Sequence, residues 1–344
     1  MTFPSPLTQL SRSESNSPID AALSARLATI EARFAAELHS DLDCVNELIG
    51  HVEQYRGKML RPMLTVLSSM CLEVRDATFA PRVDLLATVL EMVHMSTLVH
   101  DDVLDEADIR RRGATINRLQ GNEAAVMLGD YLISHAYHLC CNLGADVAKA
   151  VAATTNTVCE GELLQLSRRG DWDLSARTYF EIVKRKTAAL TAACCAVPVM
   201  LTEANGSASR EALRTYGEKV GIAFQIVDDV LDLVGDEDVV GKSLGRDLAK
   251  GKLTLPLILW LEGLASADGT AYERGRSALT EAAAGGDAAD LREQVRASAA
   301  IELAYDRAGV LIADAKATLV DALPSSEARA RMEQLADATL ARRR

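Results

Sequence analysis

The sequence predicts an all-α protein, and three observations predict it. From Ile19 onward Ala, Leu, Glu and Arg dominate, apolar residues recur at helical and not alternating spacing, and Gly or Pro interrupts the chain every ~15 to 30 residues, about one helix and its loop. With 344 residues, 49% of them apolar, the chain can bury a large core.

Met1 to Pro18 is rich in Ser and Pro, with one acid and one base, and reads as a flexible arm; no apolar stretch comes after a basic start, so it lacks the pattern of a secretory signal. Residues 19–344 are expected to form one helical domain. Gly57 and Pro81 punctuate the first helices. Val83 to Leu104 is apolar on nearly every side, which marks a central buried helix whose polar residues gather at its C-terminal end. Gly113, Gly121, Gly144 and Gly170 divide the middle of the chain, then Pro198 and Gly206, then the cluster Gly241, Gly245, Gly251 and Pro256, and finally Gly285-Gly286. The region from Glu262 to Arg342-Arg343-Arg344 is Ala-rich amphipathic helix with no recognisable site, ending in a basic run suited to touching anionic lipid. No repeat of 20 to 50 residues suggests a solenoid.

Composition removes several functions. The 49 acids against 37 bases give a net charge of -12, which excludes an extended nucleic-acid surface. Aromatics at 4% are too few for base-stacking platforms. Seven cysteines form no C-x-x-C pair, and Cys140-Cys141 and Cys194-Cys195 lie in apolar helical stretches, as expected of reduced thiols in a cytoplasmic protein. No apolar run reaches ~18 residues without a charge, so no spanning helix is expected.

One local echo carries chemistry. Asp101-Asp102-Val103-Leu104-Asp105 is repeated 127 residues later as Asp228-Asp229-Val230-Leu231-Asp232. Residues i and i+4 of a helix lie above one another, so Asp101 with Asp105, and Asp228 with Asp232, each present two carboxylates in one direction, while the middle Asp points about 100° away. Stacked carboxylates repel, the more so among Val and Leu, so a cation must sit between them. Mg²⁺ fits, since it takes one or two carboxylates and fills its other positions with water and phosphate oxygens. Two rival motifs fail. Gly235 to Ser243 ends like a phosphate-cradling P-loop but has five residues, not four, between its glycines and comes after a helix. A metal-binding pair at His100-Asp101 would need further placed histidines, and the chain has six in all.

These motifs make the chain resemble the trans-isoprenyl diphosphate synthases of the polyprenyl synthetase family over about residues 40 to 260. Further blocks agree in order: Gly57-Lys58-Met59-Leu60-Arg61-Pro62, His94, Arg110-Arg111, Gly121-Asn122-Glu123-Ala124, Gly129-Asp130, Lys186-Thr187, Gln225, Gly241-Lys242-Ser243-Leu244-Gly245-Arg246-Asp247, and Gly251-Lys252-Leu253-Thr254-Leu255-Pro256. One departure stands out: three arginines occur where the family has two and a glycine, so Arg112 takes the glycine's place and Gly113 comes one residue late.

The resemblance implies an isoprenoid synthase helical bundle around a central cavity, and a Mg²⁺-dependent head-to-tail condensation of isopentenyl diphosphate with an allylic diphosphate. It implies three Mg²⁺ ions per active site with substrate bound, held by Asp101, Asp105 and Asp228, with Asp102, Asp229 and Asp232 supporting them. Lys58, Arg61, His94 and Arg111 resemble the pocket for the diphosphate of isopentenyl diphosphate; Arg110, Lys186, Thr187, Gln225, Lys242 and Lys252 resemble the set that grips the allylic diphosphate. Lys186 and Lys242 would assist its departure. His100, beside the aspartates, is expected to support them. Ser96 and Thr97 would line the mouth of an elongation tunnel, with Tyr137, Cys140 and Val93 as candidates for its floor. Small residues at the mouth imply a medium or long all-trans product of about C30 to C50, as used for quinone side chains, growing where water is excluded. A short-chain farnesyl or geranylgeranyl diphosphate synthase and a non-catalytic subunit of a heteromeric synthase stay open as alternatives. A terpene cyclase would not need Lys58, Arg61 and His94 for a second diphosphate. The resemblance further implies a homodimer, and a peripheral membrane contact for product release.

Overall fold

The computed structural model describes residues 17–53, 57, 59–110, 113–203, 206–234, 245–267, 269–286 and 288–342. It is a helical bundle, in which the one ladder among the described residues is a two-residue antiparallel pair. The helices are α1 (Pro18–Leu38), α2 (Asp43–Glu53), α3 (Leu60–Met70), α4 (Phe79–Leu104), α5 (Ile116–Cys140), α6 (Ala145–Ser167), α7 (Ala176–Val183), α8 (Ala189–Ala196) and α9 (Ser207–Val234). They continue as α10 (Arg246–Ala249), α11 (Leu255–Ala267), α12 (Gly269–Ala283), α13 (Ala289–Ala297), α14 (Ala300–Ala322) and α15 (Glu327–Leu340). The ladder joins β1 (Ile109–Arg110) to β2 (Gly113–Ala114), with Ile109 opposite Ala114.

The central helix is α4. It starts at Phe79, four residues before the sequence suggested, because Pro81 falls in the first turn, where a missing N–H costs nothing. Pro256 opens α11 in the same way and does not break it. Val83, Leu86, Val89, Leu90, Met92 and Val93 of α4 are wholly buried. By length and apolarity this helix could cross a membrane, yet 78% of its most apolar stretch is buried in the bundle. Around it pack α5, α3, α1 and α8. The second long helix, α9, packs on α14, α8 and α15. Thus α8 lies against both aspartate-bearing helices.

Two irregularities shape the site. Gly121 kinks α5 in its second turn at φ 87°, ψ 165°, a conformation that needs the missing Cβ. Between α7 and α8 the chain widens into a π-helical turn over Lys184–Ala188, the kind of single turn that rotates side chains at functional sites.

Candidate active site

The last turn of α4 presents the first motif, with Asp105 as the residue that ends the helix. Asp102 points away from its neighbours, is 2% exposed and is gripped by Arg110, whose Nε lies 2.9 Å from both carboxylate oxygens and whose Nη2 lies 2.8 Å from Oδ1. The hairpin β1–β2 delivers this arginine, so Arg110 here supports the motif from behind. Asp101 and Asp105 differ in their surroundings. Burial pushes the Asp101 carboxyl up to about 6, with Lys186 the strongest compensating charge; no described side chain donates a hydrogen bond to it. Burial also acts on Asp105, but Lys252 at 2.8 Å from Oδ2, Lys186, and Arg169 at 2.8 Å from Oδ1 outweigh it and hold the carboxyl below its ordinary value.

The π-helical turn supplies Lys186 and Thr187. Gly161 of α6 lets that turn approach, since a Cβ there would stand 2.4 Å from the Lys186 amide nitrogen. Lys186 bonds to Glu162 and, at 2.9 Å, to Gln165 Oε1, two residues on one face of α6. Its ammonium is buried, which disfavours charge, but Asp101 and Glu162 more than compensate and its pKa is raised.

On α9, Asp228 is half-buried and pairs with Arg342 at 2.7 Å; the guanidinium also lies 4.3 Å from the Phe224 ring centroid, one turn earlier. Asp229 is 3% exposed and turned into the bundle, where Tyr179 Oη donates at 2.6 Å and Gln225 Nε2 at 2.7 Å. Burial first, and the charge of Asp247 next, push its carboxyl far above the usual range. Thr187 Oγ1 donates to Gln225 Oε1 at 3.0 Å and completes the chain of bonds. Asp232 does different work: its side chain accepts from the Asp247 amide at 3.2 Å and its carbonyl from the Gly245 amide at 2.7 Å. The Lys252 amide in turn donates to the Asp247 carbonyl at 2.9 Å, while its ammonium reaches Asp105. The two motifs are therefore joined through Asp232, Asp247 and Lys252. A cavity lies between the second motif, α7 and the 247–254 segment, with Gln165, Lys186, Thr187, Tyr179, Gln225 and Lys252 on its walls.

Arg61 begins α3, with the charges of Glu91 and Asp228 in reach; burial is the larger influence and lowers its pKa. His94 is half-buried on α4, three residues beyond Glu91. Lys58, Arg111, Arg112 and Lys242 lie outside the described residues. Ser96 is 1% exposed and donates to the Gly129 carbonyl at 2.8 Å, so its hydroxyl is spent on the α4–α5 contact. Thr97 donates to the His94 carbonyl at 2.7 Å. Val93 and Cys140 are buried and Tyr137 half-buried, the last bonded to Thr155 of α6, with burial raising its phenol pKa. His100 turns from the aspartates toward α5, its Nε2 3.2 Å from the Val126 carbonyl and 3.6 Å from Asp130.

The donors fit a hard divalent cation: they are carboxylate oxygens, and Asp101 is a buried acid short of positive charge. Among the described residues no three carboxylate, imidazole or thiolate groups converge on one point. Sequence reasoning overlooked Arg169, Glu162, Gln165, Tyr179 and Arg342. Only Glu162 and Gln165 carried a signal, their spacing of three beside Gly161 on α6.

Known proteins resemble this chain in sequence and in fold. Octaprenyl diphosphate synthase of Escherichia coli (strain K12) is 34% identical over 233 residues, 67% of this chain and 71% of that protein. Heptaprenyl diphosphate synthase component 2 of Geobacillus stearothermophilus is 34% identical over 319 residues, 91% of this chain and 95% of that one. The crystal structure of polyprenyl synthase from Caulobacter crescentus CB15, complexed with calcium and isoprenyl diphosphate, superposes with a TM-score of 0.82 at 29% identity over 100% of both chains. The sequence model of the family described as polyprenyl synthetase matches residues 43–288. With paired aspartate helices, an encircling set of cations and these likenesses together, the chain belongs to the polyprenyl synthetase family and is a prenyltransferase that elongates prenyl chains.

Proposed function

We propose that the protein is a cytoplasmic, Mg²⁺-dependent synthase that condenses isopentenyl diphosphate head to tail with an allylic diphosphate, making an all-trans polyprenyl diphosphate of about C30 to C50 in a water-excluding bundle. The observation that carries the reading is the Lys252–Asp105 bond: it brings the cations of the 245–254 segment onto the first aspartate motif, where a diphosphate needs metal and lysine together.

Asp101, Asp105 and Asp228 would hold the metal, which supplies charge neutralisation as the allylic carbon–oxygen bond breaks. This chain's residues do the rest. Lys186, Thr187, Gln225 and Lys252, with Lys242, bind and orient the allylic diphosphate. Asp229, pinned by Tyr179, keeps Gln225 and Thr187 turned toward it. Arg61 and His94, with Lys58 and Arg111, hold isopentenyl diphosphate so that its double bond faces the ionising carbon, where proximity lowers the barrier. A new carbon–carbon bond forms, diphosphate departs, and the proton lost from the isopentenyl unit passes to that departing diphosphate. No side-chain base is required.

Incubating purified protein with Mg²⁺, isopentenyl diphosphate and C10, C15 or C20 primers, then sizing the products, tests this; products of about C30 to C50 are expected for a tunnel with small residues at its mouth, and C15 or C20 alone would overturn the chain length. The name of the Geobacillus relative, component 2, favours a second reading in which a partner chain is needed. Full turnover by the isolated protein rejects it.

Exposed apolar residues support an assembly of two copies. Leu119, Val126 and Met127 of α5 and Leu163 of neighbouring α6 are exposed, Met127 and Leu163 at 65% each. We infer that a second copy of the chain covers this face.

A further inference from the structure

Arg169 lies in the turn after α6, on no helix, and reaches across to the first motif. Its Nη2 is 2.8 Å from Asp105 Oδ1 and 3.3 Å from the Leu104 carbonyl. Its Nε is buried and has no acceptor. Lys252 Nζ holds the other oxygen of Asp105 at 2.8 Å. The turns that carry these two cations are tied to each other, since the Gly170 amide donates to the Gly251 carbonyl at 2.8 Å. One carboxylate thus stands between two cations whose backbones are linked, and half of the arginine fork is unused.

Resting on the function proposed above, we propose that Arg169 is a further residue binding the allylic diphosphate, acting beside Lys252. With Asp105 committed to a divalent cation, both cations lose that carboxylate, Lys252 keeping only the more distant Asp247 at 3.9 Å, and a diphosphate is the anion that this pair matches. The Nε–Nη2 edge of a guanidinium offers two parallel N–H donors, which fit two phosphate oxygens as one ammonium cannot. The bond to Leu104 is the competing structural role, a cap on the last carbonyls of α4.

Calorimetry of the full chain with inorganic pyrophosphate at fixed Mg²⁺ separates the two roles. In Arg169→Gln, pyrophosphate affinity is expected to fall about tenfold, the KM for farnesyl diphosphate to rise about tenfold and the KM for isopentenyl diphosphate to stay within about twofold. Titration with Mg²⁺ alone is expected to show affinity no weaker than wild type. Unchanged pyrophosphate affinity and allylic KM overturn the proposal while leaving the function standing. A wild-type protein that neither binds pyrophosphate nor elongates removes the function itself. Should the glutamine variant fail to fold, Arg169→Lys decides, because it keeps the charge and loses the fork: a loss of about threefold or more in pyrophosphate affinity supports the proposal and no loss overturns it.

Discussion

Asp101 is the acid of the first motif that the surroundings compensate least, and its titration has a direct consequence for stability. Its folded value of about 6 lies above the usual 3.8, so the native state holds the proton more tightly than the unfolded chain does. Below pH ~4 both states are protonated and the carboxyl costs nothing. As pH rises through ~6 the native state must ionise a buried acid, and stability is lost. In metal-free protein Asp101→Asn is therefore expected to be more stable than wild type at pH 8, by on the order of 2 kcal/mol, with the advantage gone at pH 4. Thermal unfolding by circular dichroism in chelator at the two pH values checks this. An advantage that grows on acidification would show that the carboxyl is not held up by burial.

At the scale of elements, the close approach of α6 to the π-helical turn depends on Gly161. Glycine inside a helix ordinarily costs about 1 kcal/mol against alanine. Here a Cβ would stand 2.4 Å from the Lys186 nitrogen and 2.8 Å from both Arg185 Cβ and Lys186 Cα, so backbone must move. Gly161→Ala is expected to destabilise by about 2 kcal/mol and, by displacing Lys186, to lower kcat at least about tenfold. Gly50→Ala, in open space on α2, is the control and is expected to be neutral or slightly stabilising. Urea unfolding and steady-state kinetics of both variants read the contrast. The same turn shows what a sequence conceals. The i, i+4 placement of Asp101 with Asp105 comes from helix geometry alone, so those pairs were legible. A π turn at Lys184–Ala188 leaves no comparable periodic mark, and the attachment of Lys186 to Glu162 and Gln165 arises only when two helices meet.

For the whole molecule, the all-α class was legible because helical spacing and breakers are local properties. The partners of the aspartates were not, since Arg169, Tyr179 and Arg342 come from separate parts of the chain. The role assigned to His100 rested on nearness in sequence to Asp101, and its ring is instead drawn to α5 by the Val126 carbonyl, while the bond of Ser96 to the Gly129 carbonyl ties α4 to α5 at the position assigned to the tunnel mouth. The apolar face of α5 and α6 makes its own prediction. Met127→Asp would place a charge in the inferred contact between copies, where an unpaired charge costs several kcal/mol. It is expected to halve the mass seen by light scattering without changing the helical spectrum, and an unchanged mass would place the contact elsewhere.

The bond between Lys252 and Asp105 spans 147 residues. Helices of this kind form from neighbours in sequence, but closing so long a loop is an entropic cost that only the finished bundle repays. The active site is therefore complete only when the bundle is, as are the still longer ties such as that of Arg331 to Asp20, 311 residues apart. A chain can regain nearly all of its helix before it regains the ability to hold a diphosphate.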